Sequence, residues 1–122
     1  MKNHDLSFLE LVKDALTRVK EVGVVEVKNK IDKKENFLLV DVREESEWLE
    51  GKIPEAIYFG KGIIERDIEA NEPDKEKEMI LYCQGGFRSA LAADSLQKMG
   101  YRNVFSMSGG FGEWSKNNFP VT

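Results

Sequence analysis

Met79-Ile80-Leu81-Tyr82-Cys83-Gln84-Gly85-Gly86-Phe87-Arg88-Ser89 decides how the chain is read. The first four residues are an apolar run of strand length. After the glycines, Ala90, Ala93, Leu96 and Met99 step in threes, Leu91 and Ala92 widen the stripe, and Gly100 stops it, which is the pattern of a helix. The single cysteine therefore stands where a buried strand turns into a helix. The first N–H groups of a helix have no partner within it, and the helix dipole is positive at that end. A thiolate or other anion is stabilised there. Gly85 and Gly86 let the backbone take positive φ and turn its amides inward, and Arg88 adds a fixed positive charge. The stretch reads as a small anion-binding cup with sulfur at its base.

Working toward the N-terminus, Phe37-Leu38-Leu39-Val40-Asp41-Val42 is apolar without alternation apart from Asp41, as in a strand covered on both faces. The spacing predicts a short helix over 44–50 stopped by Gly51, a strand over 56–59, and a helix around Ile63, Ile64 and Ile68. Upstream, Val24-Val25 reads as a short strand and 26–32 as a helix. Residues 7–20 read as an amphipathic helix, with Ser7 and Glu10 as a capping box and Phe8, Leu11, Val12, Ala15, Leu16 and Val19 as the apolar face. That face is expected to pack on the chain's own domain, leaving a monomer. Toward the C-terminus, 104–107 is the last strand, and a final helix carries Trp114. Strands alternating with helices imply an α/β fold with a parallel sheet. Ligands of such sheets bind beyond the carboxyl ends of the strands, where Asp41 with Arg43 and Cys83 with its loop fall. For Asp41 and Arg43 the favoured reading is an ion pair tying loops together.

Composition excludes several classes. At 122 residues one domain is expected. A net charge of −4 argues against a nucleic-acid-binding surface. One cysteine excludes an internal disulfide, and one histidine, His4, excludes a Cys/His zinc cluster. The sequence shows neither a signal peptide nor a membrane-length apolar run, so a cytoplasmic protein that binds no membrane is expected.

The motifs resemble those of the rhodanese family of sulfurtransferases. The cysteine loop is similar to the family's active-site loop. Residues 41–57, from Asp41-Val42-Arg43-Glu44 to Ile53-Pro54-Glu55-Ala56-Ile57, resemble its first signature, and 104–114, with Gly109-Gly110 and Trp114, its closing one. Lys52 stands where the family usually has His, and Glu55 where it usually has Gly. The three motifs span residues 24 to 122 in order. The resemblance implies a rhodanese-like open parallel five-stranded sheet with helices on both faces over residues 23–122, with residues 1–22 as an extra N-terminal helical extension.

A lone cysteine is as readily a small buried hydrophobe as a nucleophile. The glycine loop, Arg88 and the helix start favour the reactive thiolate. No His neighbours the motif, and His4 lies near the terminus, so the arrangement suits attack on sulfur better than acyl transfer. The resemblance implies that Cys83 attacks thiosulfate or another small anionic sulfur donor, and that a Cys83 persulfide passes sulfur to cyanide or a thiol, such as thioredoxin or glutathione, without a cofactor or metal. It implies an active-site loop of Gln84, Gly85, Gly86, Phe87, Arg88 and Ser89, with amides from Gln84 to Ser89 solvating the persulfide and Arg88 orienting the donor or the loop. Whether Gln84 and Phe87 face the mouth or the core is open. One alternative is a persulfide carrier delivering sulfur to a protein partner. Another is a phosphatase-like enzyme on the same fold, whose loop resembles Cys, five residues, Arg. Here four residues separate Cys83 from Arg88.

Overall fold

The computed structural model describes residues 4–122. Along the chain run α1 (Leu6–Leu16), β1 (Lys20–Val22), α2 (Val24–Asp32), β2 (Leu38–Asp41), α3 (Glu45–Glu50), β3 (Ile57–Tyr58), α4 (Ile64–Asn71), β4 (Met79–Tyr82), α5 (Phe87–Lys98), β5 (Val104–Met107) and α6 (Gly110–Lys116). The five strands form one sheet in the order β1-β5-β4-β2-β3, parallel at every pairing. This is the expected open parallel α/β architecture. Consecutive strands joined through helices cannot pair antiparallel across a tight turn, so each returns in the same direction.

Side chains alternate across the sheet and feed two cores. Val40, Val42, Met79, Leu81, Cys83 and Val104 pack with Leu16 and Val19, with Ile64 and Ile68 of α4, and with Ala92, Ala93 and Leu96 of α5. Leu39, Ile80, Tyr82 and Met107 pack on the opposite face with Val24 and Val27 of α2 and Trp114 of α6. The central strand β4 is buried along its whole length, which is why its sequence carries no alternation.

The N-terminal quarter departs from expectation. Helix α1 starts at Leu6 with Asp5 as its N-cap, so Ser7 lies inside the helix rather than at its cap. The helix is over by Leu16, where the N–H groups of Arg18 and Val19 both return to the Ala15 carbonyl. The strand is Lys20–Val22, not Val24-Val25, and α2 already begins at Val24. The polar strand was hidden because β1 is an edge strand, with Lys20 and Glu21 exposed. The apolar pair Val24-Val25 is instead the first turn of α2, with Val24 turned into the core and Val25 exposed.

Helix α1 packs on α5 through buried Val12 and Ala15, as its apolar spacing predicts. Leu11, expected on that face, is exposed. Arg18, just past the helix, donates from Nε and Nη2 to the two carboxylate oxygens of Asp94 on α5, both at 2.9 Å. Among the described residues, no helix is long and apolar enough to cross a membrane.

Candidate active site

The carboxyl ends of β2 and β4 meet at the middle of the sheet, where Asp41 stands beside Tyr82. Cys83 follows directly. Three residues, Gln84 to Gly86, then turn the chain into α5, and Gly86 closes the turn as the N-cap with φ +100°. That left-handed conformation is strained for a residue with a Cβ. Of the two glycines expected at positive φ, only Gly86 is there.

The cup forms around Cys83 Sγ, which is 1% exposed. The backbone N–H of Gly86 donates to the sulfur at 3.1 Å and that of Ser89 at 3.3 Å. The sulfur also lies 3.5 Å from Ser89 Oγ. Of the amides expected between Gln84 and Ser89, these two reach Sγ. Both belong to the opening of α5, where the helix dipole adds its positive end. Such N–H groups fix partial positive charge against the sulfur without a proton donor.

The loop is held from outside by the next glycine pair. The N–H of Phe111 donates to the Cys83 carbonyl at 2.8 Å, and that of Gly112 to the Gln84 carbonyl at 3.0 Å. This approach depends on Gly110, with φ +56°, because a Cβ there would stand 2.4 Å from the Cys83 oxygen and 2.6 Å from the Gln84 oxygen. The Gly-Gly of the closing signature thus belongs structurally to the cysteine loop.

Arg88 does not point freely into the cup. Its Nη1 and Nη2 donate to the two oxygens of Glu47 on α3 at 2.8 and 3.2 Å. The guanidinium holds the Glu47 carboxyl below the usual carboxylate range, assisted by the Glu44 N–H, which donates to Glu47 Oε1 at 2.9 Å. The Arg88 fork of donors is thus occupied by Glu47.

Asp41 and Arg43 form the ion pair expected of them. Arg43 Nη2 donates to Asp41 Oδ2 at 2.7 Å and to the Gly51 carbonyl at 2.6 Å, and the pair is buried. The guanidinium lies 4.3 Å from the Phe111 ring centroid, so it ties β2, the Gly51 turn and α6 together. Burial pushes the neighbouring Tyr82 phenol up from its ordinary pKa. The phenol oxygen accepts from the Ile53 N–H at 3.2 Å.

Gln84 and Gly85 are exposed and form the rim. Gln84 also lines a cavity of about 520 Å³ with Arg43, Glu47, Glu50 and Phe111. Phe87 is half-buried. Its ring meets that of His4 at 5.1 Å and that of Phe8 at 6.2 Å, so His4 and the start of α1 pack beside the loop. Glu55, at the usual Gly position of the first signature, has φ +72°, the conformation that favours glycine.

Two residues escaped the sequence reading. Glu47 is 41 positions from its partner Arg88, and no local pattern links them. Ser106 is fully buried on β5, and its Oγ is 2.7 Å from Ser89 Oγ. A lone hydroxyl between Phe105 and Met107 in a strand of the core was the available signal.

Comparison with known proteins agrees with this geometry. A family model described as a rhodanese-like domain matches residues 24–117. The chain is 34% identical over 102 residues to the protein YtwF of Bacillus subtilis (strain 168), covering 84% of this chain and 96% of YtwF. It is 30% identical over 103 residues to a sulfurtransferase of Allochromatium vinosum, covering 84% of this chain and 94% of that one. Among solved structures it superposes on RPA3614 of Rhodopseudomonas palustris CGA009, described as a possible tyrosine phosphatase, with TM-score 0.86 and 27% identity over 100% of this chain and 99% of that one. With its three motifs gathered at the carboxyl end of one parallel sheet and the matched residues spanning most of its length, the chain belongs to the rhodanese-like domain family.

Proposed function

We propose that the protein is a sulfurtransferase that carries sulfur on Cys83. In the first half-reaction the Cys83 thiolate attacks the outer sulfur of thiosulfate or a similar sulfane donor. An Sγ–S bond forms, the donor's S–S bond breaks, and sulfite leaves with the bonding pair. In the second, cyanide or a thiolate attacks the outer sulfur of the persulfide and releases the Cys83 thiolate. Neither step expels an alkoxide or amine, so neither needs a general acid.

The observation that carries this reading is the convergence of the Gly86 and Ser89 N–H groups on Sγ. Preorganised donors of this kind stabilise charge on the sulfur at little reorganisation cost. Relatives named as sulfurtransferases support it, among them a thiosulfate sulfurtransferase of Coxiella burnetii, 30% identical over 86 residues and covering 70% of this chain and 78% of that one. Thiosulfate:cyanide turnover that disappears in Cys83→Ser is the expected result. Turnover retained in that variant overturns the proposal.

Delivery to a protein thiol uses the same persulfide and differs only in the acceptor. Comparing thioredoxin, glutathione and cyanide as acceptors separates a relay from a small-molecule transferase. The phosphatase reading, raised again by the description of RPA3614, is disfavoured by two features. Four residues separate Cys83 from Arg88, and the Arg88 fork is occupied by Glu47 rather than open to a phosphoryl group.

A further inference from the structure

Behind the cysteine loop lie two hydroxyls that sulfur transfer does not formally require. Ser89 and Ser106 are both fully buried. Their Oγ atoms stand 2.7 Å apart, Ser89 Oγ lies 3.5 Å from Cys83 Sγ, and Ser106 Oγ donates to the Gly86 carbonyl at 3.4 Å. Each hydroxyl has one proton to donate. Fixing the direction of one bond in this row therefore fixes the direction of the others.

We infer that Ser106 is a positioning residue which, through Ser89, reverses its hydrogen bond when Cys83 loses its proton. The inference rests on the reading of Cys83 as the sulfur carrier. With a thiol at Cys83, the S–H donates to Ser89 Oγ, the Ser89 O–H to Ser106 Oγ, and the Ser106 O–H to the Gly86 carbonyl. When Cys83 ionises, its proton goes to water and the sulfur can only accept. The Ser89 O–H then turns to the sulfur. At 2.7 Å the two oxygens still share one proton, so the Ser106 O–H must turn from the Gly86 carbonyl to Ser89 Oγ. The same orientation serves the persulfide, whose Sγ also has no proton. No bond other than S–H breaks, and both serines keep their protons.

The row thus links the state of the sulfur to the carbonyl of Gly86, the residue whose N–H binds that sulfur. Charged groups around the cup are already paired. Arg88 on α5 is held by Glu47 on α3, and Asp41 at the end of β2 by Arg43. His4 reaches the loop only by its contact with Phe87 among the described residues.

Replacing Ser106 by Ala removes two hydrogen bonds from the thiol form of the row and one from the ionised form. The ionised form is therefore favoured by one bond. The test is alkylation of Cys83, the only thiol, by iodoacetamide across pH in wild type, Ser106→Ala, Ser89→Ala and the double variant, each checked for folding by circular dichroism. The reaction uses no sulfur donor, so its outcome stands apart from that of the transfer assay. The expected result for Ser106→Ala is a reactivity midpoint lower by about half to one pH unit, with no further movement when the change is made in Ser89→Ala. A midpoint that is unchanged or higher in Ser106→Ala overturns the inference. So does an equal lowering in the Ser89→Ala background, because the effect would then bypass Ser89.

Discussion

Arg88 of the cysteine loop is clasped by Glu47 of α3 through two hydrogen bonds of 2.8 and 3.2 Å. The pair is part-exposed, with side chains 29% and 31% accessible, so it adds at most about 1 kcal/mol to global stability. Its larger consequence is local. It fixes the opening turn of α5, whose N–H groups face Sγ. Arg88→Ala and Glu47→Gln should each lower kcat/KM for thiosulfate by roughly 10-fold, and the double variant should be little worse than either, because both remove the same clasp. Arg88→Lys should recover charge but little activity, since an ammonium cannot replace the planar fork. Steady-state kinetics of wild type and the four variants check this. Were Arg88 chiefly a donor-binding cation, Glu47→Gln would release it and raise activity.

Gly110 and Gly85 should respond oppositely to alanine. At Gly110 a Cβ meets two backbone oxygens and the φ is left-handed. Gly110→Ala should therefore cost on the order of 2–3 kcal/mol and disturb the loop it supports. At Gly85 nothing lies within 4 Å of a Cβ, and Gly85→Ala should stay within about 0.5 kcal/mol of wild type. Urea unfolding of both variants gives the comparison.

Glu55 holds a left-handed conformation with φ +72°. Glycine removes the steric penalty there but gives the unfolded chain more freedom. The net expectation for Glu55→Gly is a gain of about 0.5–1 kcal/mol, read as a higher urea midpoint. A lower midpoint would mean that the Glu55 side chain contributes more than its backbone costs.

The attachment of α1 depends on pH through Asp94. Its hydrogen bonds from Arg18 hold the carboxyl below the ordinary aspartate range. A carboxylate with a depressed folded-state pKa contributes stability above its unfolded value of about 3.9, and that contribution is lost as pH falls through the folded value. Asp94→Asn should therefore be less stable than wild type at pH 7, and the gap should close as pH falls through the depressed folded-state value. Urea midpoints measured against pH test the sign. A gap that widens in acid would contradict it.

The sheet was legible because burial imposes period and composition. The buried strand β4 is apolar throughout, β2 is apolar up to Asp41, and the glycine stop of α5 follows its apolar stripe. Strand β1 was illegible because an edge strand with exposed Lys20 and Glu21 needs only backbone pairing, such as the Ser108 N–H to the Val22 carbonyl at 2.9 Å. At the site, the local geometry of Cys83 and Gly86 could be read from neighbours in sequence. The partners that act across the fold could not. Glu47 reaches Arg88 from α3, and Ser106 meets Ser89 from β5. The fixed charge of Arg88 could be read locally, but whether it orients the donor or the loop could not be, because Glu47 lies 41 positions away.

The most direct test of the account is the mass of the intact protein after incubation with thiosulfate and removal of excess donor. One added sulfur atom, lost on treatment with cyanide and absent from Cys83→Ser, is the predicted result. An unchanged mass in a wild-type protein that nonetheless turns over thiosulfate, or an added sulfur in Cys83→Ser, would contradict the assignment of Cys83 as the sulfur carrier.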